Sequence, residues 1–556
     1  MKNNNLNYFQ SHDYSSLNVL PPSIIPVVVV CGTEYQMGYQ YGQQVGHYIE
    51  IMKNSKWATT IKQHGFSYNE VVKDLKAIQY YIKKYAPEVI EEIRGIADGA
   101  KGAGYNISYI DILLLNYDIG YSTHVKKSDT AEFPSEADSE LLLDLPSCTS
   151  WAAWGKTTID KRLVCGQSCD LQFYPQVTLL AFPNNGNNYM TVTNFAGQLT
   201  GTFSMNNKGV FIGRSGGFSK RDLDFDYGIT YQCAFAHIIR YAENAFQAKD
   251  KILSFKLADS MNYLLTDSDN NAFVIEVTSN KKCVRKPGDF HENDFVYATN
   301  NYLCDEMQES IKGEKYVKYA GWVGDGYSIN SISRNLQMRN MLNKYQGKVD
   351  IQFAKMMWRF HGNPPPYPLD AKYYYSSKGE GWDTQIGNLC NEHVVVAMPS
   401  NPNNGVAYIC AGPAGKIAHP NSPINGDWYQ IDGTNSFYQL TLKSNIAEIV
   451  DTAKDESHRC IAEAYRKFMM LNYTIPGYAV LKDFYSKANK EYYKGVNAFS
   501  LGSLKKDNNE LCFYLSQALT AFTRSQIHSK QLLNEITPPA TSPTDLGLEP
   551  YKEIKE

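Results

Sequence analysis

The chain has 556 residues, with 54 Lys+Arg against 57 Asp+Glu, so its formal net charge is 54 − 57 = −3. That balance excludes a protein that works by coating nucleic acid or acidic membranes. Hydrophobic residues at 43%, charged ones at 20% and 41 Tyr exclude disorder over most of the chain and describe a globular protein with a large core.

Length alone suggests roughly two to four domains. The eleven cysteines are an odd number with no C-x-x-C pair, which argues against a dense disulfide scaffold and against a zinc ribbon. For ten of them the reading is a small buried hydrophobe. Cys148 is the exception.

Residues 1–20 are polar and lack the apolar core of a secretory signal. The run from Ile24 to Cys31, IIPVVVVC, is too short to span a bilayer and reads as a buried strand ended by Gly32. The sequence therefore expects a cytoplasmic protein without a transmembrane segment. Gly38, Gly42 and Gly46 follow in an otherwise helical stretch. Glycines four apart let a second backbone approach closely, and no G-K-[ST] follows to make a phosphate loop. Helices continue to about residue 118. Val71 to Tyr85 is periodic, Pro87 opens PEVIEEIRGIADGAKGAG, and DILLLN from Asp111 begins another. Between Lys126 and Ser147 the composition turns acidic and Ser/Pro-containing, an exposed linker that ends on Cys148.

From Cys148 to about Pro413 the pattern is strand-rich, with helices at Thr230–Leu253 and Ser331–Asn343. Beyond Gly415 it is helical again, over Ile446–Met470, Tyr478–Tyr493 and Asn509–Glu535, and a Pro/Thr/Ser tail from Pro538 reads as disordered. The expected units are 1–147, a helical segment with an acidic linker; 148–413, the core; 414–537, a helical extension; and 538–556, the tail.

The segment Leu145 to Leu171, LPSCTSWAAWGKTTIDKRLVCGQSCDL, reads as two strands joined by a turn near Ile159-Asp160-Lys161. Cys148 then stands at the start of a β-hairpin, with Asp170 near the far end of the partner strand, so thiol and carboxylate are candidate neighbours.

Several separated segments fit one pattern. They are GTEYQMGYQYG, PEVIEEIRGIADGA, LLLN, CTSW followed by GQSCD, MNNKGV, NYLLTDSDNNAFVIEV, ATNNY and SISRNLQMR. In this order they resemble the N-terminal-nucleophile (Ntn) cysteine hydrolases of the acyl-CoA:6-aminopenicillanate acyltransferase-like family. The resemblance implies an α+β fold, a four-layer αββα sandwich, to which the C-terminal helices are an addition. It also implies self-cleavage between Ser147 and Cys148, after which the freed amine of Cys148 acts as general base for its own thiol. Asp170 is then expected to orient the amine or thiol, and the side-chain amide of Asn300 to donate to the oxyanion.

Gln167, Asn206 and Arg334 are weaker pocket candidates. Asn206 also suits a turn by itself, and Arg334 suits either a substrate carboxylate or a salt bridge on a helix face. Glu276 is read as structural. Three positions depart from the pattern: Ser168 replaces an Asn, Asn301 a His, and Ser147 a Gly.

The resulting expectation is a zymogen-like hydrolase for a linear non-peptide amide, an N-acyl amino acid or acyl-amine, acting through an acyl-Cys148 intermediate. It requires no cofactor. No CoA-binding signature is present, so transfer to an amine or thiol with acyl-CoA as partner is the alternative. An uncleaved, inactive scaffold is the second. A metal hydrolase is disfavoured, since His361, His393 and His419 are isolated and no H-x-x-x-H occurs. A homo-oligomer stays open.

Overall fold

A computed structural model of the chain describes residues 25–58, 60–61, 65–117, 147–170, 174–217, 226–290, 292–308, 322–323, 327–360, 386, 391–400, 404–412, 414, 436–471, 475, 477–537, 539–540 and 542–549. The acidic linker, apart from Ser147, lies outside the described residues.

Two sheets carry the fold. The first has eight strands in the order β1 (Val27–Gly32), β4 (Thr178–Pro183), β5 (Tyr189–Val192), β6 (Phe203–Asn206), β7 (Phe211–Gly216), β8 (Met261–Thr266), β9 (Ala272–Val277) and β10 (Lys282–Arg285). The second has six, in the order β11 (Phe295–Ala298), β2 (Ser147–Ala153), β3 (Val164–Asp170), β14 (Asn391–Met398), β15 (Gly405–Ala411) and β16 (Tyr438–Leu442). Among the described residues, Trp322–Val323 and Tyr327–Ser328, β12 and β13, pair only with each other. Within the two large sheets only β1 with β4 is parallel.

Residue alternation along each strand sorts the core into layers. Leu180, Met190, Val192 and Phe203 of the first sheet face Ala152, Cys165, Val395 and Ala397 of the second. The outer face of the first sheet packs on α1 (Glu34–Ala58), α2 (Tyr68–Tyr85), α3 (Pro87–Gly102), α4 (Tyr109–Leu115), α5 (Tyr231–Tyr241) and α6 (Ala245–Ser254). The short α7 (Asp305–Gln308) follows β11. Trp151, Val394 and Val396 on the outer face of the second sheet pack on α8 (Ile329–Lys344) and α9 (Ile351–Met357). The expected αββα order is the one found.

Local sequence sets the helix ends. Ser67 with Glu70 and Ser108 with Asp111 form capping boxes at α2 and α4, and Pro87 occupies the first turn of α3. The single helix expected over Thr230–Leu253 is two. Ala242 is extended, and Asn244 caps α6 by accepting from the Gln247 N–H.

The last three helices, α10 (Ile446–Met469), α11 (Tyr478–Gly502) and α12 (Asn508–Ile536), serve the sandwich directly. Ile449, Val450, Leu515 and Phe522 join the core between the two sheets. An edge strand leaves backbone groups unpaired, and α12 satisfies those of β1. Thr520 Oγ1 accepts from Val27 N at 3.1 Å and Ser516 Oγ from Val29 N at 2.8 Å, while Gln44 of α1 donates to Val29 O. Two expected boundaries therefore move. β1, assigned to the first segment, is a strand of the sandwich, and β16, assigned to the extension, closes the second sheet.

Part of the tail also differs from its expected disorder. Residues 543–546 form a 3₁₀ turn capped by Ser542 and Asp545, and Leu546 and Leu548 pack beneath the second sheet. Apolar contact and a capping box outweigh a polar composition there. Cys283 and Cys304, read as plain thiols, are joined by a disulfide.

The α1–α3 contact fulfils the glycine spacing. A methyl group on Gly42 would sit 2.0 Å from Ile96 O, and one on Gly99 2.0 Å from Tyr39 O. Backbone atoms cannot give way as a flexible side chain can. Gly42→Ala is therefore expected to cost about 2–3 kcal/mol by forcing the helices apart, read as a drop in the urea midpoint at unchanged slope.

Candidate active site

Cys148 is the second residue of β2, and its side chain is wholly buried. Ser150 and Ala152 share its inward face, while Trp151 and Ala153 point to the outer helices. The thiol thus lies between the two sheets at one end of the sandwich.

Its backbone is held from the β11 side. Cys148 N donates to Asn300 Oδ1 at 3.0 Å, and Cys148 O accepts from Arg334 Nη1 at 2.6 Å. With both groups turned toward β11, Cys148 and its register partner Cys169 on β3 form a pair without mutual backbone bonds. Cα atoms in such pairs stand about 4.5 Å apart and the side chains are at their closest.

The thiols feel this proximity. Burial pushes Cys148 up, but a hydrogen bond from Cys169, the Arg214 guanidinium and the Asp170 backbone N–H outweigh it, and its pKa falls below the ordinary thiol value. Cys169 moves the other way, raised by burial and by Cys148. It is flanked by Asn194 Oδ1 at 3.6 Å and Glu392 Oε2 at 3.5 Å. Burial holds Glu392 well above the usual carboxylate range.

The expected site residues divide. Asp170 is opposite Ser147 rather than Cys148, and its Oδ1 accepts from Asn391 Nδ2 at 2.5 Å. Asn300 does reach the site, with its orientation fixed by its neighbours. Oδ1 takes Cys148 N and Arg334 Nη2 (2.6 Å), and Nδ2 donates to Gly216 O at 2.9 Å. The expected oxyanion donor is thus engaged with a backbone carbonyl.

Among its described contacts, Arg334 turns to β2 and the loop after β11. Buried, it spans Cys148 O, Thr149 Oγ1 and Asn300 Oδ1. Gln167 is a staple between sheets. Its amide donates to Arg214 O and Ser168 O and accepts from Arg214 N and Ser150 Oγ. Gly213 leaves the room for it. Asn206 belongs to a turn and to the end of α5, bonding Val210 N, Ile239 O and Ala242 O.

The three departures have local partners. Ser168 Oγ accepts from Thr149 N. Asn301 Oδ1 accepts from Thr299, Ser331 and Asn335, which ties the loop after β11 to α8. Of Ser147 only the strand backbone is described. Glu276 supports the same loop from below, accepting from Leu303 N and Cys304 N while paired to buried Arg285 at 2.8 Å.

Sequence reasoning missed Cys169, Asn194, Asn391, Glu392 and Arg214. Only Cys169 carried a usable signal, since it lies inside the hairpin and the strand alternation places it on the inward face. Cys169, Glu392 and His393 lie close enough together to hold a metal. Both ring nitrogens of His393 are already bonded, to Gln176 and Thr202, and burial lowers its pKa to about 3. The cluster is a satisfied hydrogen-bond network.

Residues 169–379 match the family described as acyl-coenzyme A:6-aminopenicillanic acid acyl-transferase. It is the family that the sequence motifs resemble, and the match begins beyond Cys148. A curated protein of Archaeoglobus fulgidus, itself uncharacterised, is 24% identical over 343 residues, 56% of this chain and 57% of its own length. The chain thus spans little more than half of that relative. Among solved structures, the Caenorhabditis elegans orthologue of N-acylethanolamine-hydrolyzing acid amidase aligns at 13% identity and TM-score 0.30, over 46% of this chain and 94% of its own. Penicillin V acylase from Agrobacterium tumefaciens aligns at 10% and 0.26, over 48% and 83%. Overlaps of this size carry no argument about chemistry.

Alkylation rates read the thiol pair directly, because only the thiolate reacts. A lowered pKa places the rate midpoint of Cys148 with iodoacetamide below that of an ordinary thiol. Cys169→Ala removes a hydrogen bond that favours the thiolate, so its midpoint is expected to move upward. Peptide-resolved alkylation across pH 6–10, roughly the span of thiol titration, measures both.

Proposed function

We propose that this protein is a cysteine amide hydrolase that activates itself by cutting the Ser147–Cys148 bond. The observation that carries the reading is the seat of the Cys148 nitrogen. It faces Asn300 Oδ1, while the pKa of its own thiol is lowered from the ordinary value. The match of residues 169–379 to an acyl-transferase family supports acyl chemistry as the class of reaction.

In the first reaction the Cys148 thiol attacks the Ser147 carbonyl carbon. The C–N bond breaks, the nitrogen takes a proton, and a thioester links residues 147 and 148. Water then attacks that thioester, leaving a carboxylate on Ser147 and a free amine and thiol on Cys148. Asn300 Oδ1 is positioned to accept from that amine, and Arg334 keeps Cys148 O and Asn300 in fixed relation.

The amine then serves as base. It removes the thiol proton as sulfur attacks a substrate amide, passes a proton to the leaving amine, and afterwards activates the water that hydrolyses acyl-Cys148. The substrate is a linear non-peptide amide of the N-acyl amino acid or acyl-amine type. Asp170, with Asn391, braces the strand end beside the bond to be cut. In this reading residues 1–147 become a small chain and residues 148–556 a large one.

Intact mass spectrometry tests the first step. Two chains meeting at Ser147/Cys148 are expected for the wild type and one for Cys148→Ala. A wild-type protein that stays in one piece, with an unreactive Cys148, would leave only the uncleaved scaffold. For the second step, amine release from a panel of N-acyl amides is measured with and without an added thiol or amine. Hydrolysis gives free acid in both arms, whereas capture of the acyl group by the added nucleophile marks a transferase. Asn300→Ala removes the acceptor that positions the Cys148 amine and is expected to lower turnover about 10²-fold, the lower end of what a positioned general base contributes.

Arg334→Lys tests the clamp. Lysine offers a point charge where three oxygens need a planar fork. Turnover should fall with little change in KM, since the contacts are to Cys148 and Asn300 rather than to substrate; a rise in KM alone would overturn the assignment.

A further inference from the structure

β1 and α12 meet as a ladder. On β1 the edge-facing residues are Val27, Val29 and Cys31, two apart and so about 6.6 Å per step. On α12 the facing residues are Thr520, Ser516 and Cys512, four apart and so about 6.0 Å per step. The first two rungs are hydrogen bonds, Thr520 Oγ1 with both Val27 N and Val27 O, and Ser516 Oγ with Val29 N. The third rung brings two thiols together, Cys31 Sγ and Cys512 Sγ at 3.2 Å.

Neighbouring contacts fix that rung. Gln40 of α1 accepts from Cys31 N at 2.7 Å, donates to Cys31 O at 3.0 Å, and donates to Asn509 Oδ1 of α12 at 3.1 Å. Both thiols are free, with Cys31 half-buried at the rim and Cys512 beneath it. A disulfide needs sulfurs about 2.05 Å apart, so closure asks for about 3.2 − 2.05 ≈ 1.1 Å of movement, within reach of side-chain rotation.

We propose that Cys31 and Cys512 are a cross-linking site that reacts with small-molecule disulfides. Cys31, the less buried member, attacks one sulfur of the reagent and expels one thiolate, leaving a mixed disulfide. Cys512 then attacks Cys31 Sγ, expels the second thiolate and closes the protein disulfide. Two protein thiols are oxidised and one reagent disulfide is reduced to two thiols.

The bond ties residue 31 to residue 512, on opposite sides of Ser147/Cys148. Where self-cleavage occurs, a point that rests on the function proposed above, it would hold the small chain to the large one. The exchange itself does not depend on cleavage.

Full-length protein is treated with oxidised glutathione, denatured in excess maleimide, and digested without reductant. The expected result is a linked peptide pair containing Cys31 and Cys512, with two fewer maleimide adducts than protein not treated with oxidised glutathione. Cys512→Ser should instead keep one glutathione on Cys31, and Cys31→Ser should show neither product at these positions. Wild-type protein whose two thiols both remain maleimide-reactive, or that keeps a stable glutathione on Cys31, overturns the proposal.

Gels separate this outcome from the cleavage reading. Two bands with reductant and one without are expected of cleaved, cross-linked protein. One band in both lanes refutes cleavage, while the linked peptide still decides the cross-link.

Discussion

The candidate site depends on the register of β2 between β3 and β11. Because side chains alternate along a strand, a slip of one residue would turn Cys148 toward α8 and α9 and bring Trp151 into the space between the sheets. Three features hold the register. Ala298 pairs with Ser150 on one side, Cys169 with Cys148 on the other, and Arg334 joins Cys148 O to Asn300 beyond the end of β11. The guanidinium ties together a strand, a loop and a helix through three oxygens, and that fixed geometry is what sets the Cys148 nitrogen against Asn300 Oδ1.

Buried charge performs a similar service around the loop that carries Asn300. Arg285 lies between Glu276 and Glu292 and donates to Tyr297 O, while Glu276 accepts from two consecutive backbone N–H groups. Such a network is expensive to desolvate, and breaking one partner typically costs about 3–5 kcal/mol. Its value here is positional. The loop has two backbone donors anchored below and Asn301 anchored above, so Asn300 between them has little freedom. A second buried pair, Glu92 with Arg240, links α3 to α5 behind the first sheet and keeps the outer helices in register with it.

Much of this was legible in the sequence because it is local or motif-based. Pro87 and the glycine spacing of α1 are signals carried within a few residues. The hairpin starting at Cys148 was visible from two apolar runs and a turn. The contacts that give the site its chemistry were not, because they join distant segments. Arg334 is 186 residues from Cys148, and Glu392 is 223 from Cys169. Nothing near Arg334 in the chain signals that its partner is a backbone carbonyl. Hairpin reasoning brought Asp170 to the neighbourhood of Cys148, where its backbone N–H reaches the thiol, but it did not single out Cys169 as the residue directly opposite. The helical C-terminus looked like an appendage by composition, and only the unpaired edge of β1 explains what it covers.

That edge has a consequence during synthesis. β1 is made first among the strands, yet Ser516, which bonds to Val29, follows it by 487 residues. At translation rates of about 5–20 residues per second the wait is roughly 25–100 s. Throughout it a run of four valines at residues 27–30 presents backbone donors and acceptors with no cap, even after β4 has taken one side. Such edges recruit strands from other chains. Yield from a living cell should therefore be governed less by how stable the finished sandwich is than by how long its first strand waits for its last helix.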